Sequence, residues 1–95
     1  MFNPEARWDR NMPADSEENS QPVEVFARFS KGRVIPLYFV LSGRRTQISR
    51  INYSWAERKG RALLRYFSVS DAGDTYVLVL NTETLSWRIS TTLYT

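Results

Sequence analysis

Residues 43–55, Gly43-Arg-Arg-Thr-Gln-Ile-Ser-Arg-Ile-Asn-Tyr-Ser-Trp55, carry the pattern on which the predicted fold depends. Apolar or β-branched side chains alternate with polar ones up to Ile48 and again from Ile51. Because successive strand side chains point to opposite faces, both runs predict β-strand. The step of three between Ile48 and Ile51 predicts a β-bulge at Ser49-Arg50. Such a bulge would place five residues on one face, namely Thr46, Ile48, Ile51, Tyr53 and Trp55.

This stretch is therefore predicted to be one long, bent strand in the centre of a curved sheet. Its outer face would carry Arg45, Gln47, Arg50 and Asn52, which makes that face basic and rich in hydrogen-bonding groups. A bulge also increases the local twist, which favours curvature of the sheet around this strand.

Turn sequences divide the chain after residue 22 into apolar runs. All four glycines (Gly32, Gly43, Gly60 and Gly73) lie between such runs, and glycine takes positive φ without steric cost. Residues 81–84, Asn-Thr-Glu-Thr, suit a four-residue hairpin loop. Five turns predict six strands, at residues 23–30, 33–42, 44–56, 61–69, 74–81 and 85–92. Short connections join neighbouring strands, so we predict an all-β fold, a six-stranded antiparallel meander that curves strongly into a small barrel or half-barrel.

Composition and charge differ between the two ends of the chain. Residues 1–22 contain three of the four prolines, two arginines and five acidic residues, for a net charge of −3. Residues 23–95 contain eleven basic and five acidic residues, for a net charge of +6, and the two parts together give the +3 of the chain. A segment so poor in apolar residues buries too little surface to offset its ordering entropy. We therefore predict a disordered acidic tail at 1–22 and a β domain at 23–95.

Aromatic side chains are predicted to supply most of the core, because each buries a large area. The predicted core aromatics are Phe29, Phe39, Tyr53, Trp55, Phe67, Tyr76 and Trp87. Four valines point the other way, so either a partner covers them or the sheet is packed on both faces; they are Val34, Val40, Val77 and Val79. Pro36 has no amide donor, which places it at a sheet edge or a bulge.

Several classes of function are disfavoured by residue type. The chain has no cysteine and no histidine, so it lacks a thiol nucleophile, a thiolate zinc site and a neutral-pH imidazole base. Asp71 and Asp74 flank Ala-Gly and predict a hairpin turn rather than a metal-binding or catalytic acid pair. We predict no catalytic residues, no metal and no cofactor. No apolar run approaches the roughly 20 residues that cross a bilayer, so a cytoplasmic protein without membrane contact is expected.

Basic residues are the better functional signal. Arginine outnumbers lysine nine to two in residues 23–95, and its planar fork suits phosphate and stacks on bases. The predicted nucleic-acid-binding residues are Arg44, Arg45, Arg50, Arg58, Lys59, Arg61, Arg65 and Tyr66. Tyr38 and Tyr66, if outward, would add stacking platforms.

The same residues allow three alternative interpretations. Arginines decorate any solvated sheet and protect its edges against aggregation. A protein-interaction or homodimer module would use the apolar strand 33–42 as an edge together with the outward valines. In a third interpretation the acidic tail competes with anions for the basic face, so removal of residues 1–22 would strengthen anion binding.

One family resemblance rests on residues spread over 23–90. They are Pro36-Leu-Tyr-Phe39, Gly43-Arg-Arg45, Ile48, Ile51, Trp55, Arg65-Tyr-Phe-Ser-Val69, Tyr76-Val-Leu78 and Trp87-Arg-Ile89. With these elements the chain resembles a small, uncharacterised β-rich bacterial domain family, found as stand-alone proteins or appended to Y-family (translesion) polymerase-like proteins. The resemblance implies a DNA-repair context and no catalytic residues.

Overall fold

Two antiparallel sheets make up the fold, and no helix accompanies them in the described chain. A computed structural model describes residues 20–90. The strands are β1 (Ser20–Pro22), β2 (Glu24–Ser30), β3 (Arg33–Leu41), β4 (Arg44–Gln47), β5 (Arg50–Lys59), β6 (Ala62–Ser70), β7 (Thr75–Asn81) and β8 (Ser86–Ser90). Five strands form one sheet in the order β1-β8-β7-β6-β5, and three form the other in the order β2-β3-β4. The predicted all-β class and antiparallel pairing are confirmed.

Eight strands replace the six that were predicted, because the chain twice passes from one sheet to the other. The first passage is at Val23, between β1 and β2. At the second, the Ile48 amide donates to the Leu37 carbonyl of β3 at 3.0 Å, and the next amide, Ser49, donates to the Ser70 carbonyl of β6 at 2.8 Å. The predicted strand 44–56 therefore divides into β4 and β5. Since the strands separate into two ladders at these points, the closed barrel, one of the two predicted forms, is wrong.

The predicted position of the bulge is also wrong. The register of β5 against β6 shifts between Ile51 and Tyr53, which leaves Asn52 as the extra residue. Ile48 and Ile51 both pack against the core, as predicted. Beyond Asn52, however, Tyr53 and Trp55 lie on the opposite face of the sheet, as their pairing with Ser68 and Tyr66 requires. β4 and β5 are both edge strands, so neither half is central.

Glycine turns lie where the sequence pattern predicts them. Lys31-Gly32 and Ser42-Gly43 join their strands as two-residue loops with positive φ at both positions, as in type I′ turns. Gly60 alone has positive φ in the β5–β6 loop, which is typical of a type II′ turn. These turns have the twist that adjacent antiparallel strands need, so they fix each hairpin register locally.

The core lies between the two sheets and is formed mainly by the inner face of β6, β7 and β8. Its buried residues are Phe39, Phe67, Val69, Leu78, Leu80 and Ile89. Tyr76 and Trp87 pack against this cluster, in agreement with the prediction. Three predicted core aromatics do not belong to it: Phe29 is 62 % exposed, Tyr53 is 59 % exposed, and Trp55 lies with Tyr53 on the opposite face of the sheet.

β3 and its neighbours differ from the expected apolar edge. β3 is the central strand of its sheet, so the predicted edge at 33–42 is wrong. Pro36 is buried at a register shift, where Phe26 pairs with Tyr38 and Ala27 with Pro36. The extra residue is Leu37, so Pro36 lies next to a bulge, and a bulge was one of its two predicted positions. Of the valines predicted to point outward, Val34 instead packs against the core, because the register shift turns it inward. Val77 is buried on the face of the five-stranded sheet that lies opposite the core.

The described chain begins inside the segment predicted to be an acidic tail. Ser20–Pro22 form β1, which pairs with β8, and the Arg88 guanidinium donates to both the Oγ and the carbonyl oxygen of Ser20 at 2.9 Å. Folded structure therefore starts before the predicted boundary at residue 22. The remainder of the predicted tail, 1–19, and the predicted strand residues 91–92 lie outside the described residues.

Candidate nucleic-acid interface

Three aromatic rings stack on the outer face of β5 and β6, on the side of the sheet away from the core. The Trp55 and Tyr66 ring centroids are 5.0 Å apart with an interplanar angle of 7°. Tyr53 continues the row, at 5.3 Å from Trp55 and 26°. We call these three residues the outer stack. Its end residue, Tyr53, leaves a π-surface accessible from solvent, because that residue is 59 % exposed.

The bulge at Asn52 is the reason why the outer stack forms. The Asn52 side-chain amide donates to the Ser70 hydroxyl at 2.9 Å and to the Ser68 hydroxyl at 3.4 Å. These bonds hold the extra residue against β6 and bring Tyr53 and Trp55 to the outer face. Without the bulge, strand alternation would turn both rings towards the core side.

Cations of β5 and β6 divide between the two faces of the sheet. By strand alternation, Arg50 and Lys59 share the outer face with Tyr66. Arg58 and Arg65 lie on the inner face, where Arg65 pairs with Leu80 of β7. Arg61 lies in the β5–β6 turn. The structure thus joins only part of the predicted set to the stacked rings.

Arg44 and Arg45 belong to the other sheet. Arg45 lies over the ring of Tyr38, with 3.9 Å from its guanidinium carbon to the ring centroid. Phe26 stacks on the same tyrosine at 4.5 Å and 12°. Arg44 is one residue earlier on β4 and so points to the opposite face. Tyr38 thus faces outward, which was the condition for a stacking role, and its stacking partners are an aromatic ring and an arginine.

Most of the predicted cations have their charge available. Lys59 forms an ion pair with Glu57, with 3.4 Å between Nζ and Oε1. Among residues 20–90 no other salt bridge occurs, and no hydrogen bond engages the predicted arginines. These guanidinium groups are Arg44, Arg45, Arg50, Arg58, Arg61 and Arg65. All of them except the half-buried Arg65 are exposed, and an unpaired, exposed guanidinium keeps all five donors for a phosphate.

A concavity of about 250 Å³ lies at the end of β5 where it turns into β6. Its lining residues are Lys59, Gly60, Arg61, Ala62, Asn81, Glu83 and Thr84. Asn81 is committed to the β7–β8 loop, because its Oδ1 accepts the amides of Glu83 at 2.9 Å and Thr84 at 3.2 Å. Of the two cations in this lining, Arg61 has no ion pair among the described residues. Lys59 connects the concavity to the outer face of the sheet.

The acids at 71 and 74 form the predicted turn. Asp71 Oδ1 accepts the amides of Asp74 at 2.7 Å and Gly73 at 2.8 Å, and Tyr76 donates its hydroxyl to Oδ2 at 3.2 Å. The Asp74 amide contributes most, and together these donors lower the pKa of Asp71. Burial raises the pKa of Tyr76, and the Asp71 charge adds to that effect. Both Asp71 oxygens are thus occupied within the turn.

Three residues of the candidate surfaces were missed by the sequence prediction. Tyr53 and Trp55 were assigned to the core, and Phe26 was assigned no role. The alternation around Ile51 is compatible with a bulge at Asn52 as well as at Ser49-Arg50, and only the position at Asn52 brings the two rings outward. A bulge considered at each polar residue of this stretch in turn would have found Tyr53 and Trp55, whereas no signal in the sequence singles out Phe26.

No protein-family model, no curated protein and no solved structure matches the chain. Its class is therefore defined by the fold itself, an all-β protein of two antiparallel sheets with stacked aromatic rings on the outside. Residues 20–90 hold no apolar helix of membrane-spanning length. The family resemblance stays a prediction.

Proposed function

We propose that this protein is a non-enzymatic module that binds single-stranded nucleic acid on the outer face of β5 and β6. The exposed end of the outer stack carries this proposal, because Tyr53 offers an accessible π-surface with unpaired Arg50 on the same face. Aromatic rings take bases of any sequence by stacking, and neighbouring arginines take the phosphates.

Single strands are favoured over duplexes because duplex bases are already stacked and paired. A ring on a sheet surface reaches only the face of an unstacked base. The outer cations are few (Arg50, Lys59 and Arg61), so we expect a modest dependence on salt. With about three phosphate contacts, the slope of log affinity against log salt is about −2 for a single strand. Binding of single strands agrees with the DNA-repair setting that the family resemblance implies.

Fluorescence anisotropy with an oligothymidine of about 15 nucleotides tests the proposal. The full chain should bind the single strand at low salt more tightly than a duplex of equal length. Tyr53→Leu should weaken binding by about 5- to 100-fold, the value of one stacked base, while Tyr53→Phe keeps the ring and most of the affinity. Wild-type protein that binds neither strand form, or a leucine variant with unchanged affinity, would contradict the proposal.

A second candidate is a protein-interaction module, and the free edge of β5 favours it. Within residues 20–90, β5 pairs with β6 on one side only, and its ten residues contain no proline. Such an edge can add an extended peptide or a second copy of the chain. Light scattering distinguishes the candidates, since self-association through β5 predicts a dimer and the nucleic-acid module predicts a monomer that binds its ligand.

A further inference from the structure

A second stack of three planar groups crosses the outer face of the three-stranded sheet. Tyr38 of β3 contacts the Phe26 ring, with centroids 4.5 Å apart and planes 12° apart, and the Arg45 guanidinium carbon is 3.9 Å from the tyrosine centroid. Because β2 and β4 flank β3 on opposite sides, the phenyl ring and the guanidinium approach opposite faces of Tyr38. We call Phe26, Tyr38 and Arg45 the second stack.

Both ends of the second stack are open to a ligand. Phe26 is 40 % exposed, although most large apolar side chains of this size are buried when packing allows it. Arg45 is exposed and makes no salt bridge within residues 20–90. Stacking on Tyr38 restricts the guanidinium plane, so less entropy is lost when its donors bind a phosphate. An aromatic ring face binds a base and an oriented guanidinium binds a phosphate, so together they suit a nucleotide of a single strand.

The second stack and the outer stack lie along one continuous stretch of chain. β4 leads into β5 through Ile48 and Ser49, and Arg45 precedes Tyr53 by eight residues. Eight residues span at most about 28 Å. The stacks lie on the outer faces of two sheets that pack against each other, so a strand that joins them must pass around the edge formed by β4 and β5. One small β domain commonly covers between about 4 and 16 nucleotides, which gives a strand the length for a path around this edge.

We propose that the second stack is a second subsite for the same nucleic acid strand, with a base on the open face of Phe26 and a phosphate of that strand on Arg45, on the other side of Tyr38. Gln47 and Arg50 lie between the two stacks along the chain and border the connecting path. This inference rests on the proposed function, because it extends the strand beyond the outer stack. It assigns Arg45 to the path and leaves Arg44, which points to the opposite face, outside it.

Dependence on oligonucleotide length tests this second subsite. Phe26→Leu removes the ring but keeps an apolar side chain, and it should lower the affinity for an oligothymidine of about 15 nucleotides by about 5- to 100-fold. A fragment of about four nucleotides occupies the outer stack alone, so its affinity should change less than twofold. Tyr53→Leu, in contrast, should weaken both lengths.

Arg45→Lys is the matched control for the phosphate end, because it keeps the charge and removes the planar fork. We expect Arg45→Lys to weaken binding of the longer strand nearly as much as Arg45→Gln does. Arg44→Gln should weaken it less. Unchanged binding of the longer strand to Phe26→Leu and Arg45→Gln, with Tyr53→Leu still defective, would overturn the second subsite and leave the proposed function standing. The second subsite would also be overturned if Phe26→Leu lost the same affinity for the shorter and the longer oligothymidine. Wild-type protein without affinity for either length would instead refute the proposed function.

Discussion

Tyr66 and Phe67 are neighbours on β6 but belong to two surfaces with different physical roles. Phe67 is 3 % exposed and packs in the core, where Trp87 is 5.9 Å away between ring centroids. Tyr66 points to the outer face and stacks on Trp55. Phe67 therefore supports stability through burial, whereas Tyr66 belongs to a row of rings that ends at an edge strand. Because the alternation of one strand separates the two roles, substitutions on each face should have separable effects.

The largest effect is expected from the inner face. Phe67→Ala removes a buried ring and leaves a cavity between the sheets, so it should lower the free energy of unfolding by about 3–5 kcal/mol. A domain of this size has little stability in reserve, and the variant should be largely unfolded at physiological temperature. Urea or thermal denaturation followed by circular dichroism measures this change. A stability loss below about 1 kcal/mol would contradict the assignment of Phe67 to the core.

Substitution in the outer stack should give the opposite pattern. Tyr53→Leu should change the free energy of unfolding by less than about 1.5 kcal/mol, since it loses an exposed ring contact with Trp55. Its affinity for single strands should nevertheless fall by about 1–3 kcal/mol. Parallel denaturation and anisotropy measurements on the same preparation separate the two quantities. If this variant unfolds as readily as Phe67→Ala, the distinction between the faces fails.

Arg50 and Arg58 offer a matched pair on one strand. Neither guanidinium has a salt bridge among the described residues, but Arg50 lies on the outer face and Arg58 on the inner face. Arg50→Gln should reduce the magnitude of the salt slope by about 0.7 and weaken binding several-fold, because one phosphate contact is lost. Arg58→Gln removes the same charge and should change the slope little. Equal effects of both variants would indicate that only net charge matters.

The smallest effect concerns the 71–74 turn, which belongs to neither stack. Because the pKa of Asp71 is lowered in the folded protein, its carboxylate stabilises the fold at pH values above its ordinary pKa of 3.8. This stabilisation is lost as the pH falls through the lower pKa of the folded state. Asp71→Ala should therefore be less stable than wild type at neutral pH, and the difference should shrink in acid. Urea denaturation at a series of pH values checks this. A constant difference would contradict the turn bonds as its cause.

Local features of this fold were predictable because their causes are local. Gly32, Gly43 and Gly60 mark hairpin turns through their own backbone preference, and alternation within each run gives strand. The Asp71 turn followed from its own sequence in the same way. Pairing of adjacent hairpins needs only these short-range signals.

The passage between sheets was not predictable from the same signals. The amides of Ile48 and Ser49 donate to carbonyls of different sheets. These bonds depend on tertiary packing and leave no trace in the alternation of apolar and polar residues along the chain. The site was affected in turn, because a bulge at Asn52 instead of Ser49-Arg50 reverses the faces of Tyr53 and Trp55. Arginine count therefore indicated the ligand class that we propose, but not which arginines share a surface with the stacked rings.

Nuclear magnetic resonance of the aromatic side chains, titrated with a single-stranded oligothymidine, tests most directly whether the outer stack holds the bases. Stacked bases shift the ring signals of the groups they contact. We therefore expect chemical-shift changes for the ring signals of Tyr53 and smaller changes for Trp55 and Tyr66. The signals of Phe67 and Leu78 should not shift. Shifts confined to the inner face, or no shifts at the outer stack in a bound complex, would contradict this binding mode.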